Sequence, residues 1–269
     1  MSSRLLLERH PSLYIPSGLS FTIPLGFKTS CLGTNMSSDY DAPSIDLADV
    51  ELVEIIKHTD RAFLCRARWQ DKDCVLKVFP PYKWEKIHPP FRSIDLFKNE
   101  SRAYSRLKAR GFCERGTVPD FYGVVENIDP EAEGWQPHLK KFYDSTFPRG
   151  LDPQARPNGV LIEYIPDLNM LELSNYTEQR AHKLHQLLNE IHEAGIVHLD
   201  LYPRNMLIQG DSDRVLLIDY ELAQIFDPEH SEHPRFFADE KEFMGAFVEA
   251  LGRDHKLGKH EETRAIYFA

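Results

Sequence analysis

The sequence predicts an α+β fold, in which short antiparallel strands and one helix come first and a mainly helical half follows. Two observations carry this. Between residues 50 and 79, three short runs rich in Val, Ile, Leu and Phe are separated only by turn residues, His58-Thr59-Asp60-Arg61 and Asp71-Lys72-Asp73, which is the pattern of a strand meander. After Pro166 the chain turns helical, and Ala181, Leu184, Leu188, Ile191 and Ala194 fall on one face of a helix. A chain of 269 residues holds one two-lobed domain or two small ones, with ample material for a core.

In order, residues 1–48 are rich in Ser, Pro and Gly without a sustained period, and read as an extension that is disordered or draped over the domain. Strands are expected at Glu51–Lys57, Ala62–Trp69 and Cys74–Phe79. Lys77 interrupts the third, flanked by Leu76 and Val78; taken alone, it belongs on the solvated face of a half-buried strand. A helix follows from about Ile94 to Arg110, with Ser93 as cap and Gly111 as stop. Its residues Phe97, Glu100, Tyr104 and Leu107 share one face, so Glu100 sits within an apolar stripe. A carboxylate there is costly unless paired, and Lys77 is the natural partner.

Asp120–Glu126 reads as a fourth strand and Gly159–Ile165 as a fifth, with a Pro-rich loop from Asn127 to Asn158 between them. The longest helix is expected at Glu178–Ala194, capped by Thr177 and stopped by Gly195. It carries His182, His185 and His192, which read as solvated helix-face residues because no third ligand for a zinc ion is evident. Met206–Ile208 and Arg214–Ile218 form a hairpin around Gly210-Asp211-Ser212-Asp213. A further helix covers about Ala238–Leu251, and the last residues are polar and weakly patterned.

The formal net charge of −10 argues against nucleic acid or an anionic membrane as the partner. Leu5-Leu6-Leu7 is too short for a signal-peptide core or a membrane span. No Cys-x-x-Cys occurs among the four cysteines, and Cys74 is expected opposite Trp69 rather than Cys65. Free thiols in a cytoplasmic or nuclear setting are therefore expected. Asn-x-Ser/Thr matches at Asn35, Asn99 and Asn175 then read as chance.

Chemistry concentrates in His198-Leu199-Asp200-Leu201-Tyr202-Pro203-Arg204-Asn205 and Leu216-Leu217-Ile218-Asp219-Tyr220. The hairpin puts Asn205 just before its first strand and Asp219 just after its second, so antiparallel pairing brings the two together. Such a set suits metal-assisted phosphoryl transfer. One carboxylate orients a hydroxyl, while an amide oxygen and a second carboxylate hold magnesium.

With Lys77, Glu100, the Glu163 strand end, Asp200, Asn205 and Asp219 in this order, the chain from about 50 to 251 resembles the protein-kinase-like superfamily. His198-x-Asp200-x-x-x-x-Asn205 matches the kinase catalytic loop. Val75-Leu76-Lys77 resembles the strand-three lysine motif, and Asp219-Tyr220-Glu221 stands where Asp-Phe-Gly is expected. The resemblance implies a two-lobed domain over 49–269, with an N-lobe of about 49–165 and a shortened C-lobe of about 166–269. It implies ATP and Mg²⁺ as cofactors, and transfer of the γ-phosphate to a hydroxyl of a protein or small-molecule acceptor.

By the same resemblance Lys77 contacts the α- and β-phosphates and pairs with Glu100, and Asp200 accepts or orients the hydroxyl proton. Asn205 and Asp219 hold the metal, and the backbone of Glu163, Tyr164 and Ile165 binds adenine. His198 is a structural residue of the loop.

The chain departs from the pattern in several places. No Gly-x-Gly-x-x-Gly loop lies between the first two strands, Glu221 replaces the last residue of Asp-Phe-Gly, and Tyr202 replaces a common lysine. There is no Ala-Pro-Glu, and little chain remains for later helices. This brevity is similar to RIO-type, lipopolysaccharide-kinase-like and aminoglycoside- or choline-kinase-like proteins. A pseudokinase, serving as a nucleotide-binding or scaffolding module, is the alternative. In an unrelated α+β interaction domain, Lys77 and Glu100 would lie far apart.

Overall fold

The computed structural model describes residues 40–59, 61–81, 95–146, 155–210, 214–226 and 234–268. Strands β1 (Glu51–His58), β2 (Phe63–Trp69) and β3 (Lys72–Phe79) form the meander. Its second turn is tighter than expected. Gln70 and Asp71 both take positive φ, 48° and 61°, and Trp69 faces Lys72, the two-residue geometry that suits strand twist. Cys74 therefore lies opposite Ala67, not Trp69, while Cys65 faces Leu76. Cys65, Cys74 and Cys113 are buried and free.

Helix α1 (Leu96–Ala109) starts at Asp95, whose carboxylate accepts from the Lys98 N–H at 3.1 Å. The cap is thus Asp95; the expected Ser93 lies outside the described residues. Gly111, with φ of 77°, ends the segment. β4 (Phe121–Val125) follows.

The expected loop from Asn127 onward instead contains helix α2 (Gln136–Thr146). Trp135, Leu139 and Phe142 are buried at helical spacing, and Pro137 falls in the first turn, where a missing N–H costs nothing. β5 (Asn158–Glu163) completes an antiparallel sheet of order β1-β2-β3-β5-β4.

Part of the N-terminal extension is draped on this sheet. The Ile45 N–H donates to the Val124 carbonyl at 2.7 Å, the Val124 N–H donates to Pro43 at 3.0 Å, and Ile45, Leu47 and Val50 join the core of α2. The strap crosses β4 at Gly123, where a Cβ would run into the Pro43 carbonyl, so only glycine fits. Residues 1–39 of the expected extension lie outside the described residues.

After Pro166 the chain forms strand β6 (Leu168–Met170) before helix α3 (Glu178–Glu193), a correction to the expectation of helix alone. Thr177 caps α3 by accepting from the Arg180 N–H at 3.1 Å. Then come β7 (Ile196–Val197), a 3-10 turn (Pro203–Asn205), β8 (Met206–Gln209), β9 (Val215–Leu217) and β10 (Gln224–Ile225). β6, β8 and β9 make a small antiparallel sheet, and β7 pairs with β10.

The longest helix is α4 (Pro234–Leu257), at 24 residues, not α3 at 16. A short α5 (Arg264–Tyr267) lies near the end. The weakly patterned tail is tied down by buried Asp254, whose Oδ2 accepts from the Thr263 N–H and hydroxyl at 2.9 and 2.7 Å. Those bonds hold its carboxyl down at about 2, against the pull of burial.

Leu184, Leu188 and Ile191 of α3 are buried with Tyr104, Leu107 and Phe121 in one core that joins the two halves. Burying each such side chain stabilises by about 1.5–3 kcal/mol. Among the described residues, no helix is long and apolar enough to cross a membrane.

Candidate active site

The β8–β9 hairpin pairs Met206 with Leu217, and the Ile218 N–H donates to the Asn205 carbonyl at 3.1 Å. This ties the stretch carrying Asp219 to the loop that carries Asp200. Within the loop Asp200 is the hub. Its Oδ2 and its carbonyl both accept from the Asn205 amide, at 2.8 and 2.9 Å, its carbonyl also accepts from the Tyr202 N–H at 2.8 Å, and its Oδ1 accepts from Arg204 at 2.6 Å. Because the Asn205 NH₂ faces two acceptors, its amide orientation is fixed by the network. The Oδ1 that remains has no donor among the described residues.

Sequence reasoning missed what holds this loop. Glu240 of α4 is buried, and its carboxylate accepts from the His198 N–H at 3.1 Å and the Leu199 N–H at 2.5 Å. Leu199 has φ of 59°, an unfavourable region for a branched residue, so outside support is needed to keep it there. His192 lies 2.7 Å from the same carboxylate and is buried rather than solvated, a correction to the helix-face reading. The signal was indirect: a Glu on a helix late in the chain names no partner. His198 itself is fully buried, with Nε2 donating to the Ile218 carbonyl at 3.0 Å and Nδ1 accepting from the Asp200 N–H at 3.3 Å.

Opposite the loop, Lys77 points into the sheet–helix interface, not to solvent. Its Nζ lies 2.6 Å from Glu100, 2.6 Å from Asp219 and 3.0 Å from Glu221. Burial opposes the ammonium charge, yet Asp219, Glu100 and Glu221 together hold its pKa well above the usual lysine range. Glu100 is pushed up to about 8, because burial and the neighbouring Asp219 and Glu221 outweigh the attraction of Lys77. Asp219 is also penalised by burial, but Lys77 brings it below the usual carboxylate range. Oxygens of Glu100, Asp219 and Glu221 lie within 4.8 Å of one another. Three carboxylates share Lys77, with Arg61 beside Glu221 at 3.3 Å, so the cluster carries excess negative charge when all are ionised and suits a further cation.

Lys77, Glu100, Asp200, Asn205 and Asp219 line one cleft of about 480 Å³ together with residues of the turn from β5 to β6. Ala62, Leu64, Val75, Ile162 and Ile218 supply apolar walls. The Glu163 carboxylate is engaged, accepting from the Asp120 N–H at 3.1 Å and Arg214 at 3.3 Å, and the Tyr164 N–H donates to Asp73 at 3.2 Å. The Ile165 N–H has no acceptor among the described residues. Of the expected adenine-binding backbone, therefore, Ile165 offers the donor.

A five-stranded sheet and a glutamate-bearing helix, stacked over a hairpin-anchored loop with a cleft between, define a two-lobed kinase-like fold. Residues 166–232 match the model of the lipopolysaccharide kinase (Kdo/WaaP) family. The serine/threonine-protein kinase ppk21 of Schizosaccharomyces pombe is 30% identical over 92 residues, 34% of this chain and 16% of that one. Two probable cell division control protein 7 homologs of Encephalitozoon cuniculi are each 34% identical over 71 residues, 26% of this chain and 19% of theirs. The matched region thus spans less than a fifth of the length of these relatives. The solved Cydia pomonella granulovirus kinase PK-1 aligns with a TM-score of 0.41 at 13% identity, over 66% of this chain and 56% of that chain. Over these stretches the chain is similar to protein kinases and to the lipopolysaccharide kinase family.

Proposed function

We propose that the protein is a magnesium-dependent phosphotransferase that moves the γ-phosphate of ATP to a hydroxyl group. The observation that carries this reading is Lys77, buried between Glu100 and Asp219 at 2.6 Å from each, in a cleft that Asp200 and Asn205 also line. The donor set fits magnesium. Asn205 offers an oxygen without a donor, and the Asp219 side chain is 31% exposed, so a cation reaches it from the cleft. Magnesium supplies charge neutralisation of the phosphates when bound.

The chain's own residues do the rest. Lys77 releases carboxylate contacts to hold phosphate oxygens, and Glu100 keeps its ammonium in position. The Ile165 N–H and the apolar walls hold the adenine ring. Asp200, with Arg204 and Asn205 fixing its two oxygens, orients the acceptor hydroxyl and receives its proton as the oxygen bonds to the γ-phosphorus and ADP leaves. The similarity to protein kinases and to the lipopolysaccharide kinase family supports a protein or small-molecule acceptor.

One observation favours the pseudokinase reading: Glu221 lies 3.0 Å from Lys77 and competes with phosphate for it. Incubation with γ-labelled ATP and magnesium, offering protein and metabolite acceptors, separates the two. Label transfer that is lost in Asp200→Ala is expected. Transfer undiminished in that variant would remove Asp200 from the chemistry, and no transfer to any acceptor would favour the pseudokinase.

A further inference from the structure

The β1–β2 turn has no glycine to bring backbone amides onto a phosphate, yet it is a built structure. The Thr59 hydroxyl accepts from the Arg61 and Ala62 N–H groups at 3.2 and 3.0 Å and donates to the Ala62 carbonyl at 3.0 Å, while the Thr59 N–H donates to the same carbonyl at 3.0 Å. This bracing sets the backbone at Arg61, and the Arg61 side chain reaches back across the cleft mouth. Its guanidinium lies 3.3 Å from Glu221 Oε1, while Oε2 of the same carboxylate lies 3.0 Å from Lys77. Glu221 is buried, and its carbonyl accepts from the Asn99 amide at 3.0 Å, so it is a fixed post between two cations. Arg61 is the looser partner, with a side chain 51% exposed. A half-exposed ion pair is weakly held and exchanges readily for a better anion.

Resting on the phosphotransferase reading, we propose that Arg61 is the phosphate-covering group of this site: a side-chain clamp on the β- and γ-phosphates of the nucleotide, taking the place of glycine-loop backbone amides. Both Arg61 and Lys77 line the cleft. A guanidinium offers a planar fork of donors matched to phosphate oxygens. Glu221 parks Arg61 at the right end of the cleft before nucleotide arrives, which is a role for the residue that departs from Asp-Phe-Gly.

The test is equilibrium binding of adenosine, Mg–ADP and Mg–ATP to the full chain, as wild type, Arg61→Ala and Arg61→Lys. Arg61→Ala is expected to weaken Mg–ATP about tenfold, as the loss of a charge-assisted contact implies. Adenosine affinity should be unchanged, and Arg61→Lys should recover part of the loss. Equal weakening of adenosine and ATP, or none of either, would overturn the clamp while leaving the phosphotransferase reading intact. A wild-type chain that binds adenosine no more weakly than Mg–ATP would instead overturn the phosphate site itself, and the clamp with it. Arg61 is on the surface, so unchanged melting of Arg61→Ala without ligand is expected and separates a phosphate contact from a folding defect.

Discussion

The floor and the roof of the cleft are held in different ways. In the floor, buried Glu240 accepts from two successive N–H groups of the loop that carries Asp200, Asp200 is bonded by Asn205 and Arg204, and the hairpin joins Ile218 to Asn205. In the roof, β1 is an edge strand, with Val53, Ile55 and Ile56 more than a third exposed. Its turn reaches the floor through the half-exposed pair of Arg61 and Glu221. The difference follows from what each must do. On the proposed function, groups that orient a reacting hydroxyl must be set in advance to fractions of an ångström. A surface that admits and releases a nucleotide gains by yielding.

If that contrast is right, the largest effect comes from the residue that touches both parts. Lys77→Met leaves Glu100 and Asp219 without their cation and Glu221 with Arg61 alone. Loss of label transfer and destabilisation of about 3–5 kcal/mol by urea unfolding are expected. Unchanged stability would mean that the carboxylate cluster is not under load. Glu240→Gln comes next, since a single amide oxygen replaces two acceptors for the loop N–H groups. A cost of about 1–3 kcal/mol is expected, with transfer slowed and Mg–ATP affinity kept, because Glu240 acts through the loop. Affinity falling in step with rate would erase the distinction between floor and roof.

A pH series sharpens the view of the shared cluster. The Glu100 carboxyl stands at about 8 in the folded chain against an ordinary 4.5, so between those values the folded state keeps a proton that the unfolded chain has lost. Its contribution therefore makes stability fall as pH rises from about 4.5 to about 8. Glu100→Gln should flatten that part of the profile, and an unaltered slope would contradict the assignment. The smallest effect belongs to the roof: Val53→Lys, at an exposed position of β1, should change stability by less than about 0.5 kcal/mol.

Much of this contrast was legible in the sequence only on one side. The loop from His198 to Asn205, the hairpin and the Lys77–Glu100 pair all leave local signals: a spacing, a turn between apolar runs, and a carboxylate in an apolar stripe. Taken alone, Lys77 gave the wrong side of the strand, and only Glu100 on the next helix corrected it.

What could not be read depends on distant partners. Glu240 and His192 meet 48 positions apart, and the strap at Ile45 meets β4 through Gly123, whose need for glycine comes from the strap and not from its own strand. Helix α2 was hidden by prolines and polar residues, although Trp135, Leu139 and Phe142 carried its spacing. The register at Cys74 slipped because Asp71-Lys72-Asp73 looked like the turn, while Gln70 and Asp71 formed it with neither residue a glycine.

The central claim, that the floor is a magnesium–nucleotide site, is tested most directly by thermal unfolding with ATP in the presence and absence of magnesium, for wild type and Asp219→Asn. Ligand binding to the folded state alone stabilises by about 2.7 kcal/mol at a hundred times Kd. Wild type should melt higher with ATP only when magnesium is present, and Asp219→Asn should lose that increment. An ATP effect indifferent to magnesium, or one that survives Asp219→Asn in full, would contradict it.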